Sequence, residues 1–396
     1  MTTSRSHLVA DDVEIVRRVL AHIDAGTTDE GEAWREPVEN YLSPSRFNAE
    51  LQLLRRLPSV FVPSAVIPNP GDHVERVSFD VPLFAVRGHD HRARVFRNAC
   101  RHRGMALVEG AGCSRALVCP YHGWTYRLDG SLAHVPHAAG FPDLDIPSRG
   151  LVEVASHEAD GLVVIGPLDD GGATPALQPY VDATMAGLVD GSPWRDKLVP
   201  ALPCTRTKST LLEFNWKVLV EQFLEGYHIR STHRKTFYPV QYDNLNVVER
   251  FGHNSRITYP YRNIERLRDR PESKWTVDAR VTYVYQLFPN TIMATFADQL
   301  MVAVIDPVDV GRSTLTVYFM PRHQAAADQT VDENGPGHEL TLLDKGLAED
   351  NEMSAGVQRG LHSGANAFVE FGRHESAIGH FHATLTRGLD TPVSAG

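Results

Sequence analysis

Two groups of residues in this sequence have the types and spacing to hold metal. The first is Cys100-Arg-His102, followed after sixteen residues by Cys119-Pro-Tyr-His122. Thiolate and imidazole are soft ligands that suit zinc or an iron–sulfur cluster. Zinc knuckles usually keep like ligands together, two Cys and then two His. Here each short segment carries one Cys and one His, the pattern of a [2Fe–2S] centre with two Cys on one iron and two His on the other. A zinc knuckle is the alternative. The second group lies on Asn215-Trp-Lys-Val-Leu-Val-Glu221-Gln-Phe-Leu-Glu225-Gly-Tyr227-His228-Ile-Arg-Ser-Thr-His233, with two histidines five apart and a carboxylate three before the first. On a regular helix Glu225 and His228 share a face, whereas His233 lies about 140° round from His228 at roughly 3.6 residues per turn. Both reach one metal only if the helix ends or distorts near Gly226 or after His228. Two histidines without a cysteine partner suggest the 2-His-1-carboxylate triad of mononuclear iron(II) oxygenases, which leaves positions open for O2 and substrate.

Positioning these residues requires two different textures of chain. Residues 10–60 read as helical, with Ile15, Val16, Val19, Leu20 and Ile23 at helical spacing and Phe47, Leu51, Leu53 and Leu54 repeating it less cleanly. From Val60 short β-type runs take over: Val77–Val81, Leu83–Val86, Arg94–Phe96, Leu117–Val118, Thr125–Leu128 and Leu162–Ile165. Asp129-Gly130 is a hairpin signal between two of them. Asp169-Asp-Gly-Gly-Ala-Thr-Pro is a turn-rich break and the best domain boundary. Beyond it a mixed α+β region is expected. It has a helix around Trp216–Tyr227, strands around Arg280–Leu287, Thr291–Phe296, Met301–Ile305 and Ser313–Met320, an exposed polar loop at Gln324–His338 and long helices after Glu339.

Composition bounds the function. The chain has 396 residues, 42% hydrophobic and 22% charged, so a globular protein of two to three domains is expected. With 39 Lys+Arg against 49 Asp+Glu the net charge is −10, and no basic block occurs. Nucleic acid and anionic membrane are therefore not expected as partners. Four cysteines in such a chain do not make a disulfide scaffold. No apolar run is long enough for a membrane span, the first residues lack a signal-peptide core, and a cytoplasmic location is expected.

Cys100-Arg-His-Arg-Gly-Met and Cys119-Pro-Tyr-His-Gly-Trp-Thr-Tyr resemble the Rieske motif of the Rieske non-haem iron oxygenases, and Asn215–His233 resembles that family's catalytic segment. The resemblance implies a terminal oxygenase component, the alpha subunit: an α+β protein with an antiparallel β Rieske domain inserted before a helix-covered antiparallel-sheet catalytic domain. The divisions expected are residues 1–44 as an N-terminal helical segment packing on the catalytic domain, 45–167 as the Rieske domain and 168–396 as the catalytic domain. Cys100, His102, Cys119 and His122 would hold the [2Fe–2S] cluster, and His228 and His233 the mononuclear Fe(II). The segment Glu349-Asp350-Asn-Glu-Met-Ser-Ala-Gly-Val-Gln358-Arg-Gly360 resembles the family's late motif and makes Asp350 the third ligand, with Glu349 as the alternative. Glu225 takes the place of the family's usual Asp, which bridges a Rieske histidine of one subunit to an iron-ligand histidine of the next. Glu at this position is similar to enzymes that oxidise carnitine-like quaternary amines.

Asn215 and Glu221 are expected to support the iron pocket or to serve as plain helix residues, and Tyr227 to pack. Tyr283, Tyr285, Phe288, Met293 and Phe296 are candidate pocket walls. Arg256 or Arg262 could pair a substrate carboxylate, solvated arginines being the simpler reading. Cys113 and Cys204 are structural thiols.

The expected function is hydroxylation or dihydroxylation of a small aromatic or other organic substrate with O2. The electrons would come ultimately from NAD(P)H through a separate reductase or ferredoxin, since the chain has no dinucleotide fingerprint. The alternatives are a monooxygenase acting on a quaternary amine or methylated heteroatom, an electron-transfer Rieske protein with an inert second domain, and a structural zinc protein. The resemblance also implies a homotrimer.

Overall fold

The computed structural model describes residues 9–168, 203–322 and 338–390. The expected break at 169–175 and most of the loop expected at 324–338 lie outside the described residues. Two compact units emerge, one holding the described residues up to Leu53 and from Thr205 onward, the other those from Leu54 on to Cys204.

The second unit is all β. Its largest sheet has five antiparallel strands in the spatial order Glu153–Val154, Ala93–Arg97, Val81–Arg87, Asp72–Ser78 and Ala111–Cys113. A strand was expected at Val77–Val81, but the chain turns there instead. Ser78 pairs with Val81, and Phe79 and Asp80 both take left-handed backbone, φ 49° and 66°. A two-residue hairpin loop of this type I′ kind needs positive φ at both positions; Phe-Asp lacks the usual Asn-Gly signal and so reads as strand. The expected turn at Asp129-Gly130 does form, with Gly130 at φ 85°. It joins Thr125–Tyr126 to Leu132–His134 in a small three-stranded sheet. Phe84, Phe96, Trp124 and Tyr126 fill the core between these sheets, and each such side chain contributes about 1.5–3 kcal/mol by leaving water.

The first unit is built on a seven-stranded antiparallel sheet. In spatial order its strands are Arg206–Leu212, Arg312–Pro321, Gln299–Asp309, Thr291–Thr295, Val281–Leu287, Asn254–Pro260 and Val247–Phe251. The helix Asp12–Ala25, capped by the Asp11 side chain and ended by Gly26 in left-handed backbone, buries Ile15, Val16, Val19 and Leu20 and packs on Val247–Phe251. The C-terminal helix Ser376–Asp390 buries Ile378, Phe381 and Leu385 and packs on Val247–Phe251 and Asn254–Pro260. The long helix His338–Leu361 lies against Trp216–Glu221. A strand that periodicity did not reveal, Trp34–Pro37, pairs with Phe368–Phe371. Among the described residues no helix is long and apolar enough to cross a membrane.

Candidate metal centres

Asn215 starts the helix Trp216–Glu221 by accepting a hydrogen bond from the Lys217 N–H at 2.9 Å, as a helix N-cap does. The helix was expected to run to Tyr227 but ends at Glu221. The chain then loops through Glu225, Gly226 and Tyr227, and His228 and His233 flank a separate helical turn, Ile229–Thr232. This interruption overcomes the angular separation a regular helix would impose. The rings now meet, with Nε2 of His228 3.2 Å from Nε2 of His233. Gly226 has no room for a side chain: a Cβ there would stand 2.5 Å from Asn246 Oδ1 and 3.1 Å from the Tyr259 ring.

The long helix His338–Leu361 brings Asp350 to the same point. Its Oδ1 lies 2.8 Å from His233 Nε2 and 3.5 Å from His228 Nε2. Glu349, one position earlier, turns to the other side of His233, 2.8 Å from Nδ1, and also accepts the Thr236 hydroxyl at 2.6 Å. Helix geometry separates the two acids: one joins the cluster and the other orients an imidazole from behind. Glu225 does the same for His228, accepting from Nδ1 and from the Tyr227 and His228 N–H groups. Burial acts to lower the His228 pKa, but the Glu225 and Asp350 carboxylates outweigh it and push it up to about 10. Burial raises Asp350, and the two imidazoles overcome that and hold it below the usual carboxylate range.

A cavity of about 80 Å³ opens over this cluster. Phe223, Phe237, Tyr259 and Phe296 give it aromatic walls, with Thr282, Val284 and Ala294 as its sheet floor. Of the pocket residues expected from sequence, Phe296 lines it; Tyr283, Tyr285, Phe288 and Met293 do not. The sheet's period of two explains the reversal. Tyr285 pairs with Met293 on the opposite face, and Val284 with Ala294 on the cavity face. Tyr283 stacks instead under Arg256, 4.5 Å from ring to guanidinium. Arg256 is fully buried and paired with Glu249, so it is neither solvated nor near the cavity. Phe288 packs against Phe381.

Neither Asn215 nor Glu221 lines the cavity. Besides capping its helix, Asn215 donates to the carbonyls of Tyr41 and Val310, and its N–H donates to Gln358, which fixes the long helix. Glu221 accepts the Tyr41 hydroxyl at 2.7 Å and lies 2.8 Å from His382 Nε2, within a buried network. Tyr227 is largely exposed, with one side of its ring against His374. The Phe237 and Tyr259 walls carry no local motif and were missed. Two glycines are indirect signals: a Cβ on the helical Gly346 would collide with the Phe237 ring, and one on Gly226 would crowd Tyr259.

The other four ligand candidates sit on two loops of like construction in the all-β unit. In each, a glycine with positive φ closes the turn back onto the cysteine carbonyl: Gly104 (φ 80°) bonds Cys100 at 2.9 Å, and Gly123 (φ 74°) bonds Cys119 at 3.0 Å. The His102 and His122 rings lie 4.7 Å apart, and His102 stacks on Trp124. Cys100 and Cys119 are both buried. Burial pushes the Cys100 thiol up, and the Tyr126 hydroxyl, 3.3 Å away, opposes it. Cys113 is exposed and Cys204 half-buried, both apart from these loops.

Residues 59–150 match the Rieske [2Fe-2S] domain, and residues 194–391, half of the chain, match the ring hydroxylating alpha subunit (catalytic domain). The chain belongs to the Rieske non-haem iron oxygenases, as an alpha subunit. The carnitine monooxygenase oxygenase subunit of Escherichia coli K12 is 32% identical over 205 residues, 51% of this chain and 53% of the relative, so the match spans about half that protein's length. The chloroplastic choline monooxygenase of Spinacia oleracea is 25% identical over 369 residues, 90% of this chain and 79% of the relative. A quaternary ammonium Rieske monooxygenase solved in complex with L-carnitine has the same fold. Its TM-score is 0.71 at 20% identity, covering 91% of this chain and 96% of that one.

The cofactors of a Rieske alpha subunit are a [2Fe–2S] cluster and a mononuclear iron, and the residues present fit both. Among the described residues, His228, His233 and Asp350 are the one group of three or more His, Cys, Asp or Glu whose ligand atoms all lie within 4.8 Å. Cys100 and Cys119 interact with each other, and the His102 and His122 rings lie 4.7 Å apart, so the four form a thiol pair and an imidazole pair. A single tetrahedral zinc would draw its ligands to roughly 4 Å apart or less, whereas a two-iron cluster keeps a thiolate pair and an imidazole pair separate. In addition, Nδ1 of His102 is buried without a hydrogen-bond partner, as a metal ligand is.

Proposed function

We propose that this chain is a terminal oxygenase that oxidises a small methylated or quaternary amine with O2. Electrons would come singly from a separate reductase or ferredoxin. The observation that carries the reading is the cavity over His228, His233 and Asp350: four aromatic side chains line it, and no Lys or Arg does. Aromatic faces attract a methylated cation. The named activities of the carnitine and choline relatives agree. An aromatic substrate, the first expectation from sequence, has less support, since the named activities of these relatives are on carnitine and choline.

Cys100, His102, Cys119 and His122 would hold the cluster, and His228, His233 and Asp350 the iron. When bound, these groups supply stored electrons and activation of O2. Glu225 keeps the His228 ring oriented, and Glu349 with Thr236 keeps that of His233. The aromatic walls exclude water and set a C–H bond toward the cluster of ligands. Overall, C–H, O2, two electrons and two protons give C–OH and water. Hydroxylation of a carbon next to nitrogen then allows C–N cleavage or demethylation. We assign Glu225 as the bridge to a neighbouring subunit's Rieske histidine in a homotrimer, residues 45–167 as the Rieske domain and 168–396 as the catalytic domain.

The test uses His228→Ala. It should retain the reducible [2Fe–2S] EPR signal while losing mononuclear iron and oxidised product. Turnover by this variant, or a wild-type protein without a reducible cluster signal, overturns the assignment.

A further inference from the structure

A second, larger space of about 520 Å³ adjoins the cavity over the metal ligands. The two share Phe237, Gln241, Phe296 and Leu343 as walls, so they lie side by side. Their linings differ. The inner cavity is walled by four aromatic side chains and by no Lys or Arg. The outer space has Arg262 and Arg266 and no acidic side chain.

Both arginines lie on the short 3-10 segment Arg262–Leu267, and both side chains line the outer space. Arg262 is held in place. Its guanidinium donates to the Tyr238 carbonyl at 3.2 Å and stacks over Tyr238 and Tyr242, 5.3 and 5.1 Å from their ring centres. Among the described residues neither Arg262 nor Arg266 has an ion-pair partner, whereas Arg268 two positions on is paired with Asp24 at 2.7 Å. A planar guanidinium matches a carboxylate in two parallel hydrogen bonds.

We propose that Arg262 and Arg266 form a carboxylate subsite, and that the substrate is a zwitterion with its methylated ammonium at the metal end and its carboxylate at the arginine end. The assignment rests on the amine reading above and sharpens it: a betaine-type acid is selected over a choline-type alcohol. Aromatic faces within and arginines in the outer space align such a molecule in one direction, which presents a carbon next to nitrogen to the metal ligands.

Three probes test this by calorimetric binding to the metal-loaded protein: γ-butyrobetaine, its methyl ester, and the carbon isostere in which a tert-butyl group replaces trimethylammonium. Wild-type protein should bind γ-butyrobetaine about tenfold more tightly than the ester, the scale of a guanidinium–carboxylate contact at a partly solvated site. Arg262→Gln/Arg266→Gln should abolish that preference by weakening the acid and sparing the ester. Arg266→Gln alone, which leaves the stacked Arg262 in place, should lose part of it. Equal binding of acid and ester by wild type, or a preference that survives the double substitution, overturns the subsite. If the isostere binds as well as γ-butyrobetaine and loses affinity in the double variant, the subsite stands and the amine reading falls. If none of the three binds, both fall.

Discussion

The two ring nitrogens of His233 divide the work of neighbouring acids. Nε2 faces Asp350 and the cluster, and Nδ1 faces Glu349, which the Thr236 hydroxyl steadies. A carboxylate behind a ligating imidazole fixes its tautomer and typically changes metal affinity by about 10–100-fold when removed. Asp350→Asn should therefore abolish mononuclear iron and turnover. Glu349→Gln should lower iron affinity about tenfold while turnover returns at excess iron. Iron content measured per [2Fe–2S] cluster separates the cases, and equal losses in both variants would mean that Glu349 is itself a ligand. The sequence put Asp350 first through the family resemblance and kept Glu349 as the alternative, because which side of a helix faces the histidines depends on how that helix docks.

For the sheet, the decisive property is parity. Tyr283 and Tyr285 look like binding residues because they are aromatic and sit on the right strand. Their neighbours Thr282 and Val284, smaller and less conspicuous, make the cavity floor. Accordingly, Tyr285→Phe should leave substrate KM within about twofold, since it alters the opposite face. Ala294→Phe, which fills the cavity without disturbing the pairing of Ala294 with Val284, should raise KM or abolish turnover while the cluster spectrum stays unchanged. Steady-state kinetics decide; the reverse pattern would put the substrate on the other face. Strand existence was legible here, with Thr291–Thr295 and Val281–Leu287 close to expectation. The face was not, because both faces of this central sheet are buried and the residues give no in-and-out contrast.

At the scale of the whole molecule, the metal-free chain should show a pH dependence set by the same cluster. The His228 pKa rises on folding from 6.5 to about 10. A group with a raised folded value binds its proton more tightly when folded, so its stabilisation is complete below its ordinary value and is lost as pH rises through the folded one. Asp350 is lowered, so its share is present above the ordinary carboxylate value and is lost in acid. Metal-stripped protein should thus lose melting temperature steadily between neutral pH and about 10, by the equivalent of a few kcal/mol. His228→Gln should flatten that slope. A metal-stripped wild type whose melting temperature is level across this range would contradict the coupling.

The chemistry-bearing types and their local spacing were determined by sequence alone: Cys-x-His with Cys-x-x-His, and two histidines five apart after a carboxylate. Each lies within a short segment, where covalent geometry already limits what the residues can reach. Tertiary structure decided what depends on distant docking. It interrupted the helix after Glu221 so that both histidines meet. It brought Glu349 behind His233 across 116 residues of chain, with Asp350 beside it in the cluster. It also turned the small side chains of the sheet toward the cavity and buried Arg256 while leaving Arg262 on the wall of the neighbouring space. The period of an element can be read from its own residues, but the direction in which it faces is set by what packs against it.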